Sequence, residues 1–159
     1  QMEIYYAETP VGNVRITCTY EAVIEVEFIE GHITGRPTTI PKALQSVLRG
    51  RQMDDGRGLL SRGTEFQQLV WSTLLKVPFG QTVSYGRIAA LLGGKEKARA
   101  VGSAVGANPV AILIPCHRIL PASDKIGKYR WGVDQKKSLL DWEKVNKHES
   151  QLFKSFHRI

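Results

Sequence analysis

The feature that most constrains this chain is a change of period at Gly63-Thr64. Before it, short runs rich in β-branched and aromatic residues alternate apolar with polar positions; after it, the apolar spacing becomes helical. The alternation predicts strands over 2–9, 14–19 and 22–29, joined by hairpin connections at Pro10-Val11-Gly12-Asn13 and Tyr20-Glu21. Residues 41–48 predict one amphipathic helix with Ala43, Leu44, Val47 and Leu48 on one face and Pro41 near its start. The glycine-rich stretch 50–63, with Asp54-Asp55-Gly56, reads as a connection. The expected fold class is therefore α+β: a small antiparallel sheet-plus-helix domain over 1–62, then a mostly helical domain over 63–146. A basic tail over 147–159, with His148 and His157, reads as a solvated extension. Gln1 ahead of Met2 reads as an appended residue.

Thr64-Glu65-Phe66-Gln67 is a capping box, and Phe66, Leu69, Val70, Thr73, Leu74 and Val77 follow it on one helical face until Pro78-Phe79-Gly80 ends the helix. Ser84 can cap a second helix running to Leu92. Gly93-Gly94 then turns the chain into a third helix over 95–106, which makes a candidate helix-turn-helix. The stretch from Ala100 to Ala107 is built from Ala, Val, Gly and Ser, so the backbone there can approach another surface closely. Its two glycines each cost about 1 kcal/mol relative to Ala inside a helix, so a close contact, with another protein helix or with a partner, is expected to compensate.

Charge is unevenly divided. Residues 1–63 carry eight acidic and seven basic side chains, and residues 64–159 carry seven and fifteen, giving −1 and +8. A polyanion is the simplest partner for such a second half, since each neutralised phosphate releases counterions; a merely soluble basic surface is the alternative. No apolar run approaches the ~20 residues that span a bilayer and no basic-then-apolar leader is seen, so a soluble, cytoplasmic protein is expected. With only Cys18 and Cys116, neither a disulfide framework nor a thiolate metal site is expected.

The chemistry-bearing text is Ile114-Pro115-Cys116-His117-Arg118-Ile119, which sets a thiol beside an imidazole. A thiolate attacks carbon well only when a neighbour lowers its pKa or takes its proton. A buried structural thiol is the alternative. If this segment is extended, Cys116 and His117 point to opposite faces and cannot touch directly.

Taken in order, Gly63-Thr64-Glu65-Phe66-Gln67, Val83-Ser84-Tyr85, Arg99-Ala100-Val101-Gly102, Asn108-Pro109, Ile114-Pro115-Cys116-His117-Arg118, Gly127, Tyr129-Arg130-Trp131-Gly132 and the run from Lys136 to Glu143 resemble the O6-alkylguanine-DNA alkyltransferases, the methylated-DNA-protein-cysteine methyltransferases. The resemblance spans residues 63–143; residues 1–62 fit the family's N-terminal domain in pattern only, and a ribonuclease H-like sheet is implied there. It implies single-turnover, irreversible transfer of an alkyl group from guanine O6, and from O4-alkylthymine, to Cys116. By position it implies His117 as base, with a bridging water, Glu143 orienting the imidazole, Asn108 linking the DNA-reading helix to the thiol, and Tyr85 donating to the leaving base. Arg99 would fill the stack vacated by a flipped nucleotide, with Ala98, Gly102, Ser103 and Ala107 against the minor groove. Tyr129, Arg130, Trp131, Ile119, Pro115 and Lys136 would form the alkylguanine pocket, with the backbone N–H of Arg130 facing O6 and carbonyls around Cys116 and Ile119 accepting from the guanine amino group. The implied partner is double-stranded DNA containing O6-alkylguanine. No cofactor, metal or membrane is expected, and the protein is expected to be a monomer, with cooperative assembly on DNA left open. Departures from the family text are the bulkier Asp124-Lys125-Ile126-Gly127-Lys128 and Trp131; both bear on which alkyl groups fit. The competing readings are a non-catalytic alkylated-DNA damage binder and a sequence-specific helix-turn-helix regulator. Cys116 argues against the first, and the scarcity of base-reading side chains on the third helix against the second.

Overall fold

A computed structural model describes residues 2–19, 22–39, 62–123, 125–146 and 156–158. The expected helix over 41–48 and most of the connection over 50–63 lie outside the described residues. The chain opens with strands β1 (Glu3–Thr9), β2 (Gly12–Cys18) and β3 (Val23–Ile29), paired antiparallel. The period-two pattern does what it should: Tyr5, Ile16 and Val26 stand in register on one buried face, with Ala7 and Val14 beside them. The register slips by one residue between Thr17 and Cys18, which pairs Cys18 with Val23.

Strand β4 (Arg36–Thr38) completes a five-stranded sheet of order β3-β2-β1-β7-β4, in which β7 is Phe156–Arg158. For residues 156–158 this corrects the reading of the tail as a solvated extension; residues 147–155 and 159 lie outside the described residues. Phe156, His157 and Arg158 pair antiparallel with Ala7, Tyr6 and Tyr5 on one side and with Thr38, Pro37 and Arg36 on the other. The Arg158 guanidinium also lies over the Tyr5 ring and within 3.6 Å of the Glu3 carboxylate. Alternation of Phe156 and His157 was too short a signal to separate from a basic tail.

The second half is helical, as its spacing predicts. Helix α1 (Glu65–Leu74) begins with the expected capping box, Thr64 accepting from the Gln67 N–H while Gln67 accepts from the Thr64 N–H. Its buried face differs from the expected one: Val70, Trp71 and Leu74 are buried, whereas Leu69 is half exposed. Trp71 decides this, because its Nε1–H donates at 2.8 Å to the carbonyl of Ala104, in the last turn of a later helix, where the only backbone donor to that oxygen among the described residues is the Ala107 N–H at 3.2 Å. Strand β5 (Val83–Ser84) runs into α2 (Tyr85–Leu91), where the Ser84 hydroxyl accepts from the Arg87 N–H. Gly93 and Gly94 both sit at positive φ, and a short 3-10 turn over 95–97 leads into α3 (Ala98–Gly106). A second 3-10 turn over 116–118, strand β6 (Ile119–Leu120) and helix α4 (Val133–Val145) follow.

Both halves contribute to one hydrophobic core, which runs from Val14, Ile16 and Val26 through Val70, Leu74 and Ile88 to Val101, Ile114 and Leu139. The junction is also hydrogen-bonded. Val26 N–H donates to Pro109 O at 3.1 Å and Ala111 N–H donates to Val26 O at 2.9 Å, a parallel bridge from β3 to the segment after α3.

Replacing Trp71 with Phe should keep the fold but cost about 1 kcal/mol, because the Ala104 carbonyl loses the shorter of its two hydrogen bonds and keeps the one from the Ala107 N–H. Urea unfolding of the two proteins checks this; equal midpoints would show that the indole bond is not what seats α1 on α3.

Candidate active site

The site is assembled by two short elements that the sequence places far apart. β5 pairs in parallel with β6, Val83 against Ile119 and Ser84 against Leu120. Tyr85, the first residue of α2, is thereby brought beside the 3-10 turn Cys116–Arg118 that precedes β6. The turn corrects the extended reading of this segment. Cys116 N–H donates to Ile114 O at 2.7 Å and Arg118 N–H to Pro115 O at 3.0 Å, so thiol and imidazole are set by turn geometry rather than by strand alternation.

Asn108 fixes the turn from behind. It is wholly buried; its Nδ2 donates to Val110 O, Ile114 O and Cys116 Sγ at 3.2, 3.0 and 3.1 Å, while its Oδ1 accepts from Val110 N–H at 2.9 Å. The intervening loop bends sharply enough to put Ile112 at φ 71°, a region costly for a β-branched residue. No single residue type short of an amide could satisfy a carbonyl, a thiol and an amide N–H at once.

Cys116 is almost fully buried, and burial pushes its thiol up to about 11, against the opposing influence of the Asn108 hydrogen bond, the Lys136 charge, the backbone and the Arg130 charge. The resting thiol is therefore protonated at neutral pH. His117 is wholly buried, which pulls its pKa below the ordinary value despite the hydrogen bond and charge of Glu143, so the imidazole is neutral. Its Nε2 lies 2.7 Å from Glu143 Oε2 and its Nδ1 has no hydrogen-bond partner among the described residues. Burial alone would raise the Glu143 carboxyl, but His117 and Arg118 outweigh it and hold it at about 2. With Nε2–H donating to that carboxylate, the lone pair of His117 is on Nδ1, and Nδ1 is the basic atom of the site.

Arg118 is the functional residue that sequence reasoning quoted without giving it a role. It grips Glu143 bidentately with one edge of its guanidinium, Nε to Oε1 at 2.9 Å and Nη2 to Oε2 at 3.0 Å, and sends Nη1 to Val77 O at 2.9 Å. The signal was its position immediately after the Cys-His pair. Arg118 supplies the charge that keeps Glu143 ionised, so His117 need not be protonated to satisfy it.

A cavity of about 750 Å³ opens in front of the thiol. Its lining brings together Tyr85, Arg99, Gly102, Ser103, Cys116, Tyr129 and Arg130 from the expected set, and adds Val105, Gly106, Pro121, Gly127 and Lys128. His117, Glu143 and Asn108 lie behind the thiol. Ala98, Ala107, Pro115, Ile119, Trp131 and Lys136 are not on the cavity wall. The Ile119 carbonyl, expected together with that around Cys116 to face a ligand amino group, accepts from Lys136 Nζ at 2.8 Å; the same ammonium reaches Lys128 O at 3.0 Å. Burial lowers Lys136 to about 8, opposed by the nearby thiol. Trp131 packs edge-on between Tyr129 and Phe28, at ring distances of 5.2 and 6.4 Å. A Cβ added at Gly102 or Gly106 would meet nothing within 4 Å, so no other part of the described chain requires these helix-weakening glycines. The small-residue face of α3 is open to a partner. Among the described residues no cluster of three or more His, Cys, Asp and Glu side chains could hold a metal ion.

Residues 65–145 match the family described as 6-O-methylguanine DNA methyltransferase, DNA binding domain. The methylated-DNA–protein-cysteine methyltransferase of Methanosarcina acetivorans is 33% identical over 156 residues, covering 88% of this chain and 98% of the relative. The corresponding protein of Mycobacterium bovis is 53% identical over 83 residues, so the alignment spans about half of each chain, 52% of this one and 50% of the relative. The crystal structure of Mycobacterium tuberculosis OGT in complex with DNA superposes with a TM-score of 0.69 at 36% identity, covering 89% of this chain and 92% of that one.

Glu143→Gln should cost about 3 kcal/mol or more, since it leaves Arg118 largely buried without its counter-charge. The pH dependence has a fixed sign. Glu143 is depressed from an ordinary 4.5 to about 2, so its contribution is complete above pH 4.5 and is lost as pH falls through about 2. Urea unfolding from pH 7 down to pH 2 should show that acid-side loss in the wild type and a flatter profile in the variant; parallel profiles would contradict the ionised assignment.

Proposed function

The chain belongs to the methylated-DNA–protein-cysteine methyltransferase family, and from that premise we propose that it repairs DNA by moving the alkyl group of O6-alkylguanine in duplex DNA onto its own Cys116. The observation that carries the proposal is the meeting of three features at one cavity: the Cys116 thiol at its floor, Tyr85 and Arg99 on its wall, and the open glycine face of α3 at its side. Supporting it, the mycobacterial neighbour of the same fold was solved in complex with DNA.

The alkylated base must leave the duplex to reach a buried thiol, at a cost of a few kcal/mol. In the proposed complex α2 and α3 act as a helix-turn-helix against the minor groove, with Ala98, Gly102, Ser103 and Ala107 allowing close approach and Arg99 filling the vacated stack. Affinity then comes largely from Lys and Arg contacts to phosphate and weakens with salt. Once the base is seated, the thiol proton passes to Nδ1 of His117 through one water, and the Glu143–Arg118 pair stabilises the imidazolium that forms. Cys116 Sγ displaces the alkyl carbon in line, so the S–C bond forms as the C–O6 bond breaks. Tyr85 gives its phenolic proton to the leaving guanine and is reprotonated through solvent as the His117 imidazolium gives up the proton it took from the thiol; burial and the neighbouring thiol raise the Tyr85 pKa, so the phenol is protonated at rest. Tyr129 packs on the base, and the Arg130 N–H donates to O6.

The product is a thioether, which none of the groups around Cys116 can hydrolyse, so each molecule reacts once. O4-alkylthymine is a further substrate by the same chemistry. In the same reading the N-terminal sheet is the family's ribonuclease H-like domain, and the protein acts as a cytoplasmic monomer without metal or cofactor. The presence of a hydrogen-bonded acceptor thiol favours this over a non-catalytic damage binder.

Cys116→Ser should abolish alkyl transfer to protein while leaving binding to an O6-methylguanine duplex intact; retained transfer would remove Cys116 as acceptor. Arg99→Ala should slow repair of duplex DNA far more than reaction with free O6-alkylguanine, because only the duplex needs the stack filled. Equal slowing on both, in single-turnover assays, would remove Arg99 as the residue that supports flipping.

A further inference from the structure

The cavity in front of Cys116 has two walls. One is the face of α3 from Gly102 to Gly106; the other is the loop carrying Gly127, Lys128, Tyr129 and Arg130. The Arg130 side chain crosses from the second wall to the end of the first. Its Nη1 donates to Asn108 O at 3.0 Å and Ala107 O at 3.3 Å, two carbonyls that have run past the last helical donor of α3. Its guanidinium lies over the Trp131 ring at 5.3 Å, and its Nη2 comes within 4.0 Å of Glu27 Oε1 on β3. Glu27 is itself paired with Arg15 on β2, and its neighbour Val26 carries the backbone bridge to Pro109 and Ala111. At its Lys128 end the same loop is tied by Lys136 Nζ. Arg130 is thus the tie between pocket loop, helix end and N-terminal sheet, made by a side chain whose fork can serve carbonyls and a carboxylate at once.

We propose that the Arg130 side chain is the positioning residue that ties the two walls of the pocket together, so that its grip on the Ala107 and Asn108 carbonyls sets the pocket width and the range of O6 substituents accepted. This rests on the alkyl-transfer reading above. A narrow pocket holds a methyl adduct in attacking position and crowds a benzyl one; with the tie cut, the loop wall can move outward, the methyl group is held less well, and the bulky group is admitted. Misplacement of a reacting group by about 1 Å is enough to change rates on the order of a hundredfold, so a loosened wall is expected to act on rate more than on DNA affinity.

The test is single-turnover transfer by wild type, Arg130→Ala and Glu27→Gln, over a range of excess duplex carrying either O6-methylguanine or O6-benzylguanine. For Arg130→Ala the benzyl-to-methyl ratio of maximal rates should rise on the order of tenfold, with the half-saturating DNA concentration little changed. Glu27→Gln should move the ratio in the same direction by less, since it releases only one edge of the guanidinium. An unchanged ratio with a lower reacted fraction would mean that Arg130 merely supports folding, and would overturn the proposal. An unchanged ratio at full reaction would overturn it too, while leaving the alkyl-transfer reading standing. A wild type that transfers neither group would overturn both.

Discussion

The structure depends on the hydrogen bonds of Asn108. One buried amide holds the carbonyls of Val110 and Ile114, the N–H of Val110 and the sulfur of Cys116. Without it, the Val110 N–H would be buried unpaired, at about 1–3 kcal/mol, and the carbonyls of Val110 and Ile114 would each keep only the backbone donor of Ile114 and Cys116. The same amide fixes the end of the helix whose open face adjoins the cavity. Helix end and thiol therefore move as one piece, and a ligand lying on α3 has its distance to the sulfur set in advance.

Burial creates a conflict that the surrounding charges only partly resolve. A thiol raised from 9.0 to about 11 is harder to ionise by about 3 kcal/mol. The Asn108 N–H and the Lys136 and Arg130 charges all pull the other way and still leave it protonated at rest. The base beside it is neutral for the same reason, since burial outweighs Glu143. Thiol and imidazole together form an uncharged pair, and the ion pair of Arg118 with Glu143 is a fixed electrostatic frame behind it; in the proposed reaction the thiol proton moves against that frame. Keeping the permanent charge one residue removed from the sulfur lets a buried site hold a reactive group without exposing a thiolate to solvent.

Much of this was legible in the sequence, for local reasons. The capping box at Thr64 and Gln67, the cap at Ser84 and the glycine turn at Gly93-Gly94 are all set by neighbours within a few residues, and each is found where the text placed it. The meeting of Cys116, His117, Glu143, Asn108 and Tyr85 came from the order of motifs rather than from any spacing, because the parallel pairing of β5 with β6 that brings Tyr85 alongside is only two residues long. What escaped the sequence is tertiary. Trp71 displaces Leu69 from the core because of a carbonyl 33 residues away. The 3-10 turn at Cys116 exists because Asn108 bends the preceding loop, so strand alternation was the wrong rule there. Residues 156–158 joined the sheet because the edge of β1 pairs with them and β4 pairs with them in turn, something no tail-like composition signals. Arg118 was visible as a residue, but its double grip on Glu143 needed α4 to be folded beside it.

The central claim is that Cys116 is the atom that receives the alkyl group, once. Intact-protein and peptide mass spectrometry after mixing the protein with excess duplex carrying O6-methylguanine tests it most directly. The account predicts a mass increase of one methylene group per molecule, located on Cys116 and unchanged by further substrate. No mass change alongside tight binding of the lesion, or a methyl group on any other residue, would contradict it.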